Sequence, residues 1–184
     1  MIQDIEPKHL YNTYHPDWTA RPEDSVLMYE EGEVFCVPGE TLCFPTVQSL
    51  GLSKGDCRYL FSVEEQRFYL HAPRNTEKLE RRSLRILREN GVLPREMLFA
   101  VYTGRHLADW YRDTVFCGRC GQRMTHSQTE RAMTCTCGYT AYPRIMPAVI
   151  VGVKDGNRLL LTRYRKGYNR NALVAGFTEI GETL

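Results

Sequence analysis

Along the first hundred residues the apolar positions change period. Val26-Leu27-Met28-Tyr29 and Val34-Phe35-Cys36-Val37 are compact runs on either side of Glu31-Gly32, which predicts a β-hairpin from Ser25 to Val37. Arg58 to Val63 and Arg67 to His71 form a second pair across the polar turn Glu64-Glu65-Gln66, and Tyr59, Phe61, Phe68 and Tyr69 suit a pleated, half-buried surface. The spacing then becomes helical. Glu77 to Asn90 is rich in helix formers, with Leu79, Ser83, Ile86 and Leu87 on one face and Asn90-Gly91 as a C-cap. Pro94 suits a helix start, and from there Met97, Val101, Gly104, Ala108 and Tyr111 recur at helical spacing. These positions read as core, with Gly104 marking a close helix crossing.

Residues 114–142 break this pattern. They are Cys-rich and Gly-studded, and too few to build a hydrophobic core alone. After Pro147 the β-branched run Ala148 to Val153 predicts a buried strand, Asp155-Gly156 a type I′ turn, and Leu159-Leu160-Leu161 the return strand. The basic residues Arg163, Arg165, Lys166 and Arg170 follow, then Leu173-Val174-Ala175-Gly176-Phe177. A sheet is opened, and no long amphipathic helix within the sequence covers it, so its end is expected to be exposed and sticky: disordered, swapped or buried in a dimer. The predicted class is α/β in the α+β sense. Three blocks are expected: an N-terminal α+β domain (1–113), a Cys-rich segment (114–142) and the opening strands of a further domain (143–184).

Composition adds exclusions. Of 184 residues, 42% are hydrophobic and 25% charged, which fits a globular protein and excludes a disordered or collagen-like one. Lys plus Arg number 24 against 22 Asp plus Glu, so any attraction to nucleic acid must come from a local patch. No apolar run reaches eighteen residues, so no membrane span is expected. Met1 to Glu6 lacks the basic and apolar regions of a signal peptide, and the expected compartment is cytoplasmic.

The seven cysteines are unevenly placed: Cys36, Cys43 and Cys57 are scattered, whereas Cys117, Cys120, Cys135 and Cys137 cluster. An odd count argues against a disulfide framework, and clustering argues for metal. Cys117-Gly118-Arg119-Cys120-Gly121 is a zinc knuckle, whose tight turn aims two thiolates at one ion. The second pair, Cys135-Thr136-Cys137-Gly138, is one residue shorter, and fourteen residues separate the pairs. On an extended strand its two side chains would stand about 6.5 Å apart. That is too far for two sulfurs each about 2.3 Å from one ion, so the backbone at Thr136 must pinch into a turn. Four-Cys zinc, a Cys3His set using His126, and free thiols are the readings left open.

Gly176-Phe177-Thr178-Glu179-Ile180-Gly181-Glu182 has the spacing Gly, five residues, Glu, which is weak alone. It follows the Cys-rich segment and Tyr142-Pro143-Arg144-Ile145-Met146-Pro147. With Ala108-Asp109-Trp110-Tyr111-Arg112 and Thr129-Glu130-Arg131-Ala132-Met133, these motifs resemble the NADH pyrophosphatases of the Nudix hydrolase superfamily. The likeness is specific from about Leu107 to Leu184 and loose before it.

The resemblance implies an N-terminal Nudix-like domain, a zinc ribbon and the first strands of a Nudix domain. It implies cleavage of NAD(H) to NMN(H) and AMP, and removal of NAD caps from RNA. Structural Zn²⁺ would sit on Cys117, Cys120, Cys135 and Cys137. Catalytic Mg²⁺ or Mn²⁺ would involve the Ala175 carbonyl and Glu182 in the box that opens at Gly176. Glu130, Tyr142 and Arg85 match positions that contact substrate. A homodimer is expected, and no membrane. The family's signature continues with an Arg-Glu and a Glu-Glu pair that these 184 residues do not contain, so the chain reads as truncated within the box and inactive by itself. The competing reading is a non-catalytic ribbon module that binds RNA or a protein partner, with Arg163 to Arg170 as its basic stretch. A structural or dimerisation module is a third.

Overall fold

A computed structural model describes residues 2–39, 43–91, 93–167 and 169–182. They fall into two compact units, Met1–Pro143 and Arg144–Leu184.

The first unit opens with β1 (Leu10–Tyr11), β2 (Ser25–Leu27), β3 (Tyr29–Glu30), β4 (Glu33–Cys36), β5 (Arg58–Val63), β6 (Gln66–Leu70) and β7 (Glu80–Ser83). Helices α1 (Leu84–Asn90) and α2 (Arg95–Asp113) follow, then β8 (Thr125–His126), β9 (Met133–Thr134) and β10 (Thr140–Ala141). One sheet has the order β1-β5-β6-β2, with β2 parallel to β6, and a second has the order β3-β4-β7. Leu27, Val34, Leu60, Phe61 and Phe68 pack with Leu87, Leu98, Val101 and Leu107 of the helices. A second cluster joins Val26, Met28, Phe35, Val47, Tyr59 and Tyr69.

The expected hairpins form, with a difference. The turn Glu31-Gly32 has φ of 48° and 87°, the double positive φ of a type I′ turn. The run Val26 to Tyr29 is not one strand, however. It divides at the fully buried Met28, so that β2 joins β6 while β3 pairs with β4.

The helix expected from Glu77 begins only at Leu84. Residues Glu80–Ser83 pair instead with β4, and the Arg81 guanidinium lies 3.0, 3.7 and 3.4 Å from the carboxylates of Glu30, Glu31 and Glu33. Pairing an open sheet edge outweighs a helix propensity worth tenths of a kcal/mol per residue. Leu87 is buried as expected, but Ile86 is 52% exposed. Gly91 caps α1 in the left-handed region, as expected.

On α2 the buried positions are Leu98, Ala100, Val101, Gly104, Leu107 and Trp110. The expected face was turned by about one position, since Met97, Ala108 and Tyr111 are only half-buried. Gly104 does mark a close approach, but to the sheets rather than to a helix. A Cβ there would stand 2.6 Å from Leu27 Cδ1 and 2.6 Å from Tyr29 Oη.

The second unit holds β11 (Ala148–Val151), β12 (Lys154–Asp155), β13 (Arg158–Leu159), β14 (Thr162–Arg163), β15 (Asn171–Ala172) and β16 (Val174–Phe177). They pair antiparallel as β11 with β16, β12 with β13 and β14 with β15. The turn residues are Gly156 and Asn157, one later than expected. Nor is the β-branched strand buried: Ile150 and Val151 are 71% and 47% exposed, and no described residue from 144 to 182 is buried. The first and last strands of the unit pair around the two shorter pairs between them, and its described residues enclose no core. No helix among the described residues is long and apolar enough to cross a membrane.

Candidate functional site

The Cys-rich segment grows from the end of α2. Trp110 packs with Cys117, Met124, Met133 and Cys135, and the small sheet β10-β9-β8 closes over them. Three large apolar side chains cannot hold such a segment folded by burial alone. Its rigidity has to come from the sulfurs.

Two turns present those sulfurs in matching ways. In the first, the Gly121 N–H donates to the Cys117 carbonyl at 2.8 Å and the Cys117 N–H to the Gln122 carbonyl at 2.8 Å. In the second, the Gly138 N–H donates to the Cys135 carbonyl at 2.9 Å and the Cys135 N–H to the Tyr139 carbonyl at 2.9 Å. The second turn is one residue shorter, and that is the difference between Cys-x-x-Cys and Cys-x-Cys. Thr136 lies in this turn, so the pinch demanded by the spacing is present. Gly121 and Gly138 leave the turns with φ of 75° and 83°. A side chain at either position would be strained.

The four Sγ atoms lie within 4.8 Å of one another, with Cys117 to Cys137 at 3.7 Å and Cys120 to Cys135 at 3.5 Å. Sulfurs about 2.3 Å from a tetrahedral ion stand about 3.75 Å apart, so these fit Zn²⁺. Desolvation works against the Cys117 thiolate, but the N–H groups of Arg119 and Cys120 outweigh it and hold the thiol at about 7, below its ordinary value. His126 stands outside the sulfur cluster. Its ring tilts against Tyr111 at 5.3 Å, and burial with the Arg58 charge lowers its pKa to about 4.

The loop from Ser127 to Ala132 carries Glu130. The Ser127 Oγ accepts the N–H groups of Thr129 and Glu130 at 3.2 and 3.4 Å, and the Ala132 N–H donates to the Glu130 carbonyl at 2.8 Å. Tyr142, just beyond β10, donates its hydroxyl to Glu130 Oε1 at 2.8 Å. This bond pushes the Tyr142 phenol above its ordinary pKa. The two residues matched to substrate contacts by the sequence are therefore neighbours, and both are exposed.

The other candidates are placed differently. Arg85 is on the outer face of α1, bonded to Glu89 at 2.9 Å. Ala175 lies on β16 opposite Ile150 of β11. The Glu182 carboxylate accepts the Glu179 N–H at 2.8 Å, one half of a capping box, and the Glu182 N–H closes a turn on the Glu179 carbonyl at 3.1 Å. Glu182 belongs to the second unit. Among the described residues, the four cysteines are the group of three or more His, Cys, Asp or Glu side chains placed closely enough to share one ion.

Sequence reasoning missed how the Glu130 loop is anchored. The Arg131 Nη2 donates to the Leu60 carbonyl and to Asn12 Oδ1 at 3.3 Å, while its guanidinium lies over the Tyr14 ring at 5.4 Å. Tyr14 in turn donates to the Ser127 carbonyl at 2.9 Å. Leu60 is available because β5 bulges there: Tyr59 pairs with Tyr69 and Phe61 with Phe68, leaving Leu60 without a partner residue. A lone arginine before the apolar Ala132-Met133 was the only signal.

No family model matches the chain. Curated relatives do. A protein of Haemophilus influenzae named NAD-capped RNA hydrolase NudC is 34% identical over 120 residues, which is 62% of this chain and 44% of the relative. Proteins of the same name from Citrobacter koseri and Yersinia pestis are 45% and 46% identical over 85 residues, 32% of each relative. The chain thus spans less than half the length of these relatives.

Proposed function

Because the chain belongs to the NADH pyrophosphatase family of the Nudix hydrolases, we propose that it serves the cleavage of the NAD(H) pyrophosphate to NMN(H) and AMP, on the free dinucleotide or as an RNA cap. The observation that carries this is the Tyr142–Glu130 hydrogen bond of 2.8 Å, which unites two substrate-matched residues on one sulfur-clamped ribbon. In this reading residues 1–113 form the supporting N-terminal domain, 114–142 the ribbon and 143–184 the first strands of the catalytic domain.

The division of labour follows from the chemistry. Cys117, Cys120, Cys135 and Cys137 hold a structural Zn²⁺, with no position left open for catalysis. Glu130 accepts from hydroxyl or amide donors of the dinucleotide. Tyr142 offers a flat ring and a donor beside it, whereas Arg85, the third matched residue, is held by Glu89 on the outer face of α1. Mg²⁺ or Mn²⁺, when bound by the full carboxylate set, neutralises the pyrophosphate and activates water. Of this set the chain supplies Glu182 and the Ala175 carbonyl, so the 184 residues alone do not hydrolyse NADH. The family assembles as a homodimer in this reading, which sedimentation of the protein checks.

The test compares two polypeptides with NADH and Mg²⁺, reading NMN and AMP by mass spectrometry. The 184 residues joined to a Nudix helix with the remaining signature carboxylates release both products; the 184 residues alone release none. Silence from both refutes the pyrophosphatase reading. Release by the chain alone refutes the dependence on the missing carboxylates.

A further inference from the structure

A cavity of about 410 Å³ opens in the first unit, with none of the four clustered cysteines in its lining, which includes His15, Trp18, Lys54, Arg58, Tyr59 and His71. Its size suits a molecule of nucleotide dimensions. Nothing in the pyrophosphatase reading uses it.

Its lining combines three chemistries. The first is cationic. Lys54 and Arg58 line it, and neither has an ion-pair partner among the described residues. The second is hydrogen-bond acceptance. Asp17 also has no ion pair there, whereas Asp56 is engaged by the Ser53 N–H at 2.8 Å. His71 places Nδ1 against the Ala72 carbonyl, which makes Nδ1 the protonated nitrogen and leaves Nε2 as an acceptor. The third is a fixed aromatic wall. The Trp18 ring lies 3.8 Å from the His15 ring at an interplanar angle of 4° and 3.9 Å from the Arg67 guanidinium, and it tilts against Tyr59 at 4.9 Å. Two groups this close to one ring centre must occupy opposite faces, so Trp18 is held rigid and offers its edge.

An inorganic anion would leave Asp17 facing like charge, and a hydrocarbon would strand Lys54. A ligand with a phosphate, hydroxyls and a flat heterocycle satisfies all three at once. We propose that this cavity is a second ligand site, for a phosphate-bearing nucleotide. The phosphate is held by Lys54 with support from Arg58. Ribose hydroxyls donate to Asp17 and His71, and the base lies along the exposed edge of Trp18. The nucleotide is either a free mononucleotide or the 5′ residue of an RNA.

Calorimetric titration of the 184-residue chain tests this. AMP binds with one equivalent, adenosine binds at least about tenfold more weakly, and Lys54→Glu weakens AMP by about tenfold or more, the scale of a lost charge-assisted hydrogen bond. Lys54 is exposed, so this variant folds. Glu130→Gln leaves AMP binding unchanged, which separates this cavity from the substrate loop. A 5′-phosphorylated trinucleotide that competes with AMP identifies RNA as the source, and one that does not identifies the free nucleotide. The proposal is overturned if AMP shows no saturable binding at millimolar concentration, if adenosine equals AMP, or if Glu130→Gln abolishes binding while Lys54→Glu does not.

Discussion

Replacing Arg131 with methionine isolates the strut between the N-terminal sheet and the Glu130 loop. The side chain keeps its length and apolar stem and loses the guanidinium. Four interactions go with it: the bond to the Leu60 carbonyl, the longer bonds of 3.3 Å to Asn12 Oδ1 and 3.5 Å to the Asn12 carbonyl, and the contact with the Tyr14 ring at 5.4 Å. A hydrogen bond from a charged donor contributes about 1.5–3 kcal/mol and a cation–π contact about 0.5–1 kcal/mol. Against this, Arg131 Nη1 is buried without an acceptor, a cost of about 1 kcal/mol that methionine removes. The net loss is about 2 kcal/mol, equivalent to about a thirtyfold rise in loop opening. Hydrogen exchange of the amides from Ser127 to Ala132 reads that opening directly, with zinc content as the control for an intact ribbon. Arg131→Lys, which keeps the charge and loses the fork, falls between the two. Exchange within threefold of the parent in a zinc-loaded methionine variant would refute the strut.

Elemental analysis of purified protein is expected to give one zinc per chain, with X-ray absorption fitting four sulfurs at about 2.3 Å and no nitrogen; a light-atom ligand would restore His126 to the site, and less than about half an equivalent would remove zinc from it. Gly104→Ala is expected to lower stability by about 1–3 kcal/mol despite alanine's better helix propensity, because its Cβ would lie 2.6 Å from Tyr29 Oη, which is bonded to the Val101 carbonyl at 2.7 Å. A raised melting temperature would contradict the close approach. His126 is held neutral by burial, with a pKa near 4 against an ordinary 6.5, so its contribution to stability is complete above pH 6.5 and is lost as the pH falls toward 4. Urea midpoints at pH 7 and pH 5 should therefore converge more closely in His126→Phe than in the parent; equal differences would show that other groups carry the pH dependence.

What the sequence made legible was local. Turn chemistry at Glu31-Gly32, the C-cap at Gly91 and the pinch at Thr136 depend on neighbouring residues, and each appears where the residue types require it. What it hid was set by partners far along the chain. Glu80 to Ser83 has the composition of a helix, yet β4 lies fifty residues upstream with an unpaired edge and three glutamates facing Arg81. Met28 looks like any strand residue, and only the pairing of β2 with β6 shows why the strand divides there. At the candidate site the spacing identified the four sulfurs, and the resemblance supplied Glu130 and Tyr142. Neither shows that a bulge at Leu60 provides the acceptor on which the loop is pinned, because a bulge is a property of the pair β5–β6 and not of either strand.

The pairing of Glu130 with Tyr142 also shows what a ribbon adds that side chains cannot. Both residues are exposed, and a hydrogen bond between exposed groups contributes too little to fix two flexible side chains against solvent. Their separation must be set by backbone. Tyr142 follows Ala141, which is paired with Met133 across β10–β9, and Met133 is three residues from Glu130. Met133 is paired on its other side with His126, at the head of the loop that carries Glu130. Cys135 and Cys137 lie in the turn between β9 and β10, so whatever holds the sulfurs together holds that register. An ion at the sulfurs therefore acts on Glu130 and Tyr142 without touching them, through the strands between, and Arg131 pins the same loop to Leu60 and Asn12.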